Sequence, residues 1–193
     1  IMSNTATSRG GGISCQSFSN PILINVAVTN NTANNWGGGI YCHFSSPTLT
    51  HVTITNNSAS SNGGGICLED NSNFSLYSCI LWNEVSLSGV NSLVTATYSD
   101  VQGGWEGEGN IDADPLFCNP DSSDYALAEN SPCVGTGENG ADMGAFGVGC
   151  EPINTEAIVN FSFDLTCYHG IFEELSGGYT PYIKGNWNNW DSS

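Results

Sequence analysis

The chain has 193 residues, 24 of them glycine, and its 19 acidic side chains face only Arg9 and Lys184, giving a formal charge of −17. That length suits one domain with a small appendage, and that field repels phosphate backbones and anionic lipid, so nucleic acid and membrane surface are poor partners. No run approaches the roughly 20 apolar residues of a membrane-spanning helix.

Residues 1–9 form a short lead-in, beginning with Ile rather than Met as a mature or truncated chain would after loss of an export signal. A repeated stretch follows, with Gly triplets starting at Gly10, Gly37 and Gly63. Each triplet leads into Ile13, Ile40 or Ile66, and each unit closes on an Asn-rich turn. A spacing of this size is that of a solenoid. Within the units, Leu23, Asn25 and Ala27 alternate with Ile24, Val26 and Val28, and Thr53 and Thr55 alternate with Val52 and Ile54. Period-two alternation places such sets on opposite faces of a strand. Glycine, proline and paired asparagines between the strands supply the turns.

Short strands joined by three turns, with few helix formers, predict one circuit of a parallel β-helix per unit. The fold class expected is all-β: a short right-handed parallel β-helix of about four coils over 1–104, an irregular closing segment over 105–149 and a β-strand tail over 150–193. Successive circuits stack about 4.8 Å apart, so equivalent residues form files: Ile13, Ile40 and Ile66; Val28, Ile54 and Ile80; Pro21 and Pro47. A ladder of Asn31, Asn57 and Asn83 satisfies backbone groups at a buried bend. The fourth coil is expected from Val90 to about Gly104. The closing segment is rich in prolines, and Phe117, Tyr125 and Leu127 are its expected anchors. Its acidic cluster nominates Asp112, Asp114, Asp121 and Asp124 as a weak calcium site, of the kind that fills at about 10⁻⁴ to 10⁻³ M outside the cell.

NVAVTNNTA, GGGIYC, PTLTHVTITNNSA and CILWNEV, then TYSDVQGGWEGEGNIDADPLF and DYALAENSPCVGTGENGADMGAFG, resemble the bacterial secreted right-handed parallel β-helix proteins of the pectate-lyase-like superfamily. The resemblance covers about residues 8–147. It implies the fold, and a closing segment that covers the C-terminal end of the helix. It does not imply an activity, because one fold hosts many functions. In the tail, residues 157–190 resemble the opening of an immunoglobulin-like starch- or glycogen-binding module, which implies Tyr179, Tyr182, Trp187 and Trp190 as sugar-stacking residues. The tail is shorter than such a sandwich requires.

Eight cysteines, at 15, 42, 67, 79, 118, 133, 150 and 167, lack CxxC spacing and point to disulfides in an oxidising compartment. Cys15 and Cys42 fall one rung apart; Cys67 with Cys79, and Cys118 with Cys133, are the other candidate pairs. Sequons at Asn30, Asn56, Asn73 and Asn160 suit the same extracellular or cell-surface setting.

Polyuronate lyases need cations on the coil faces, and Arg9 and Lys184 lie outside them. A hydrolase needs only carboxylates, roughly 5 to 9.5 Å apart, for which Asp112 and Asp114, with Asp100 or Asp142, are the candidates. His43, His51 and His169 show no ligand spacing. The sequence therefore reads as a non-enzymatic structural subunit without catalytic residues and with no cofactor unless calcium. It joins copies of itself head to tail, its tail strand donated to the next copy. The competing readings are a carbohydrate-binding surface protein or adhesin and a calcium-dependent glycan hydrolase.

Overall fold

The computed structural model describes residues 1–88 and 90–153. The chain divides after Asn154, and the second unit, Thr155–Ser193, lies outside the described residues. With it lie the tail aromatics Tyr179, Tyr182, Trp187 and Trp190, as well as Cys167, Asn160 and Lys184.

The first unit is a short right-handed parallel β-helix. One circuit runs through β1 (Thr5–Ala6), β2 (Ile13–Gln16), β3 (Ile22–Ile24) and β4 (Ala27–Thr29). The next runs through β5 (Thr32–Ala33), β6 (Ile40–His43), β7 (Thr48–Thr50) and β8 (Thr53–Thr55). The third contains β9 (Ser58–Ala59), β10 (Ile66–Glu69), β11 (Asn73–Tyr77) and β12 (Ile80–Trp82). A fourth has only β13 (Val85–Ser88), β14 (Leu93–Thr97) and β15 (Asp100–Val101). Equivalent strands stack in parallel as sheets β2-β6-β10-β13, β3-β7-β11-β14 and β4-β8-β12-β15, with a small sheet β1-β5-β9 at the fourth corner.

The register explains the repeat. Ile13, Ile40, Ile66 and Val85 form one file, and Leu23, Leu49, Leu76 and Ala96 another. Both face the bore, where the side chains of the second and third coils are buried at 1% exposure or less and Val85 is partly buried. Burying each such side chain contributes about 1.5–3 kcal/mol. Glycines at 10, 37 and 63 open each unit with φ near +65° (65°, 64° and 65°), a conformation that costs glycine little.

Several expectations are corrected. Val28 and Ile54 are continued by Leu81, not Ile80, which stacks on Thr53. The interval between rungs is 26 at Asn31 and Asn57 but 27 at Val52 and Cys79, so counting by identity slips by one residue. The run from Ile22 to Thr29 is two strands rather than one, because Asn25 turns the chain with φ of +55°, as His51 and Ser78 do one and two rungs on. The fourth coil starts at β13, not Val90, and its interval drops to 20. Residues Trp82-Asn83-Glu84 pass straight into β13, omitting both the Gly triplet and a strand of the corner sheet.

Residues 1–9 are more than a lead-in. Met2 bridges Thr29, β1 pairs with β5, and Arg9 bridges Trp36, so this segment lies as a partial rung over residues 29–36.

The closing segment also departs from expectation, because only its start covers the end of the helix. Trp105 packs on the bore and donates Nε1–H to the Val94 carbonyl at 3.2 Å, while Asn110 donates to the Ala96 carbonyl at 2.9 Å. The remainder folds back along the side of the helix. There β16 (Phe117–Asn119), β17 (Asp124–Ala128) and β18 (Val148–Cys150) form a three-stranded sheet. Phe117, Tyr125, Leu127, Cys133 and Met143 build a second core on Ile80. The outer face of β4, β8 and β12 is thereby covered, and Thr29, Thr53 and Thr55, which parity alone would leave in solvent, are 1%, 1% and 2% exposed.

Candidate functional site

Three of the four nominated calcium ligands accept from a backbone amide. Asp112 accepts from Gly103 N–H at 3.1 Å, Asp114 from Leu116 N–H at 3.0 Å and Asp124 from Ala126 N–H at 3.1 Å. Asp121 stands in the first turn of a 3-10 helix, Pro120–Ser122. Among the described residues no three His, Cys, Asp or Glu side chains gather as metal ligands would. Asp142, the other hydrolase candidate, accepts from Gly135 N–H at 2.9 Å.

Asp100 is the carboxylate that the fold singles out. It lies on β15, fully buried beneath the closing segment, and accepts from Ala113 N–H and the Cys133 thiol, both at 3.2 Å. One side chain thus ties the last coil to two separate stretches of the segment that covers it. Its pKa is pushed from 3.8 up to about 6: burial is the largest cause, the hydrogen bonds from Ala113 and Cys133 oppose it, and the charges of Asp112 and Asp114 add to it. A carboxyl whose folded pKa exceeds its unfolded value binds more protons when folded. Its penalty is absent below about pH 4, grows as pH rises through about 6 and is constant above. Asp100→Asn retains an acceptor for Ala113 N–H and carries no charge. Relative to the wild type, its urea unfolding free energy is expected to gain about 2 kcal/mol between pH 4 and pH 7. Parallel profiles for the two proteins would contradict this account.

A second polar cluster clasps the coils on the outer side of β6 and β10. The Arg9 guanidinium lies 4.2 Å from the Trp36 ring centroid and 5.2 Å from that of Tyr41, and donates to the Tyr41 hydroxyl at 2.9 Å. Tyr41 donates in turn to Glu69, which stands 3.8 Å from Arg9. Burial and the Glu69 carboxylate push the Tyr41 hydroxyl pKa up, so it stays a donor. Every member is satisfied by another, and Tyr41 is completely buried. The cluster fastens the lead-in to the second and third coils. The sequence offered no signal for it beyond the scarcity of cations.

The cysteines pair differently from expectation. Cys118 bonds to Cys150, with Cα atoms 5.9 Å apart, linking β16 to β18. Cys133 is not its partner because that thiol points inward to Asp100. Cys67 does not meet Cys79: Cys67 stacks between Tyr41 and Ser86, whereas Cys79 lies in the interior and donates to the Tyr77 carbonyl at 3.2 Å. Burial pushes the Cys67 pKa up to about 11 and that of Cys79 to about 12. Cys15 and Cys42 are rung partners as expected, but stand as facing buried thiols. The Cys42 S–H holds the Cys15 pKa low and itself loses its proton far less readily.

Of the sequons, Asn30 and Asn56 face the closing segment rather than projecting as a free row. Their amides donate to the Tyr125 hydroxyl at 2.9 and 3.1 Å. Asn73 opens β11 and is exposed.

The most constrained constellation is the corner that follows β4, β8 and β12, at which each coil passes into the next. Asn31 donates both its backbone N–H and its side-chain amide to Asn57 Oδ1, at 2.9 and 3.0 Å, and Asn57 does the same to Asn83 at 2.9 and 3.2 Å. Asn57 Nδ2 also donates to the Val28 and Thr55 carbonyls at 2.8 and 3.0 Å. The ladder has a fourth member that the repeat did not reveal, Asn4, which donates twice to Asn31 Oδ1 at 3.0 and 2.9 Å.

This corner is where the chain resembles known proteins. Residues 25–43 and 51–69 each match the Chlamydia polymorphic membrane protein (Chlamydia_PMP) repeat. Each match spans the ladder asparagine, the Gly triplet and the strand after it. No curated protein and no solved structure matches the chain. The likeness is therefore to a repeat unit, and what it reports is the coil.

Proposed function

We propose that this chain is a non-catalytic structural solenoid of an extracellular or surface protein, in which coils act as rigid, self-satisfied rungs. The observation that carries this reading is the continuous Asn ladder. The residues that recur from unit to unit are used up in stacking one coil on the next. The Cys118–Cys150 bond favours an oxidising setting, and the name of the matching repeat, that of a polymorphic membrane protein, favours a surface one.

Simple coaxial stacking of whole copies is not the form proposed. A copy laid with its β13 and β14 over β2 and β3 would bring its β15 to the rung that Ile1–Asn4 already occupy beside β4.

The test is a survey of glycan hydrolysis and elimination with and without calcium. No turnover is expected. Turnover that disappears in Asp112→Asn or Asp114→Asn would replace the structural reading by the hydrolase one.

A further inference from the structure

We propose that Cys15 and Cys42 form a covalent modification site, a disulfide that closes the coil between them into a ring. The inference goes beyond the structural reading above and does not depend on it. The two residues are register partners on the parallel strands β2 and β6. Neighbouring strands lie about 4.8 Å apart, inside the range of roughly 4.4–6.8 Å that a disulfide requires between Cα atoms. Both side chains belong to the core of the bore and share one file with Leu68.

The other cysteines show why this pair stands apart. Cys118 is already bonded to Cys150. The Cys79 thiol donates to the Tyr77 and Leu49 carbonyls at 3.2 and 3.5 Å, and the Cys133 thiol donates to the Asp100 carboxylate at 3.2 Å. Each of those sulfurs has an oxygen to receive its proton. Cys67 immediately precedes Leu68, which lies in the Cys42 file, so strand alternation turns it to the opposite face. Cys15 and Cys42 have only each other. The Cys42 S–H bonds to the Cys15 sulfur, and among the described residues no oxygen accepts from either thiol. Joining the two sulfurs therefore gives up one weak S–H···S contact and no hydrogen bond to the backbone.

The chemistry is thiol–disulfide exchange with a small disulfide, RS–SR, of the glutathione class. One cysteine thiolate attacks it, forming a protein–S–S–R mixed disulfide and expelling RS⁻. The other thiolate then attacks the protein sulfur of that bond, forming Cys15–Cys42 and expelling the second RS⁻. The two protons lost by the cysteines end on the two released thiols, so two cysteines are oxidised and one small disulfide is reduced. Cys15 and Cys42 are 3% and 0% exposed, so the exchange belongs to folding, after the rungs align and before the bore fills. The product encloses β3, β4 and β5 in a covalent ring, whereas Cys118–Cys150 ties the side sheet alone. Such a ring restricts the unfolded chain and keeps the two coils joined when their backbone pairing opens.

The test maps the disulfides of the full chain in two preparations, one purified without unfolding under oxidising conditions and one refolded with oxidised and reduced glutathione. Both are alkylated without reduction and cut with pepsin at low pH, where disulfides do not reshuffle, and the peptides are read by mass spectrometry. Peptides linked through Cys15 and Cys42 are expected beside those linked through Cys118 and Cys150, with Cys79 and Cys133 alkylated. Alkylation of Cys15 and Cys42 should fall about tenfold or more relative to a reduced control. In Cys15→Ser, Cys42 should become alkylated while Cys118–Cys150 is retained, the retained bond showing that the side sheet still forms. Absence of the Cys15–Cys42 link from both preparations overturns the proposal, as does either residue linked to a different cysteine. A protein that carried the bond yet turned over a glycan would keep this site and lose the structural reading.

Discussion

Asn57→Ala is expected to destabilise the β-helix by about 3–5 kcal/mol, the range reached when a buried hydrogen-bond network is broken. The side chain is 5% exposed and sits at the centre of the ladder. Its Oδ1 accepts twice from Asn31, and its Nδ2 serves the Val28 and Thr55 carbonyls and Asn83 Oδ1. Alanine removes all of these partners and is too small to fill the space. A buried amide or carbonyl left unpaired costs about 1–3 kcal/mol, so two such groups outweigh the slight gain in intrinsic propensity. The midpoint of urea unfolding should fall with little change in slope. A loss below about 1 kcal/mol would show that water replaces the side chain and that the ladder is incidental to stability.

Gly38→Ala should be comparably damaging for a different reason. A Cβ at Gly38 would meet the Ser58 carbonyl oxygen within van der Waals overlap and the Gly64 carbonyl oxygen at 2.5 Å. Both obstacles are backbone of the next coil, so neither can rotate away, and relief requires prising adjacent rungs apart. Overpacking of this kind costs about 3 kcal/mol or more when the backbone must move. Gly103→Ala is the matched control. That site has open space around it but a φ of +87°, so it carries the conformational penalty alone, about 1–2 kcal/mol. If the two variants melt together, close approach of coils is not what the triplet provides.

These two positions were legible before any coordinates because their chemistry recurs at one spacing in three successive units. The Ile13 file, the Gly triplet and the Asn ladder were read for that reason. The Val28 file was misjudged where the register changes: Thr55 stacks on Trp82, yet Asn57 bonds to Asn83, so the third coil lacks a counterpart of Asn56. Identity cannot reveal a residue that has been left out. The candidate site was less readable still. Asp112 and Asp114 stood out as neighbours in sequence, whereas Asp100 became notable only once Cys133 and Ala113 were folded over it. The disulfide was misassigned on the same grounds: Cys118 and Cys133 are close in sequence, but the strand holding Cys150 returns to the sheet that carries Cys118.

The asparagine ladder also has a direction. Asn4 donates to Asn31, Asn31 to Asn57 and Asn57 to Asn83, each through both backbone and side chain. The bonds to Oδ1 thus all run one way, each polarising the next in the manner of hydrogen-bonded chains, while the Asn31 and Asn83 amides also donate back to the Ile1 and Asn57 carbonyls, both at 3.1 Å. A string of this kind is weakest when short and firmest in its middle. Loss of one interior link weakens its neighbours on both sides, which favours collective melting of the coils over rung-by-rung fraying from either end.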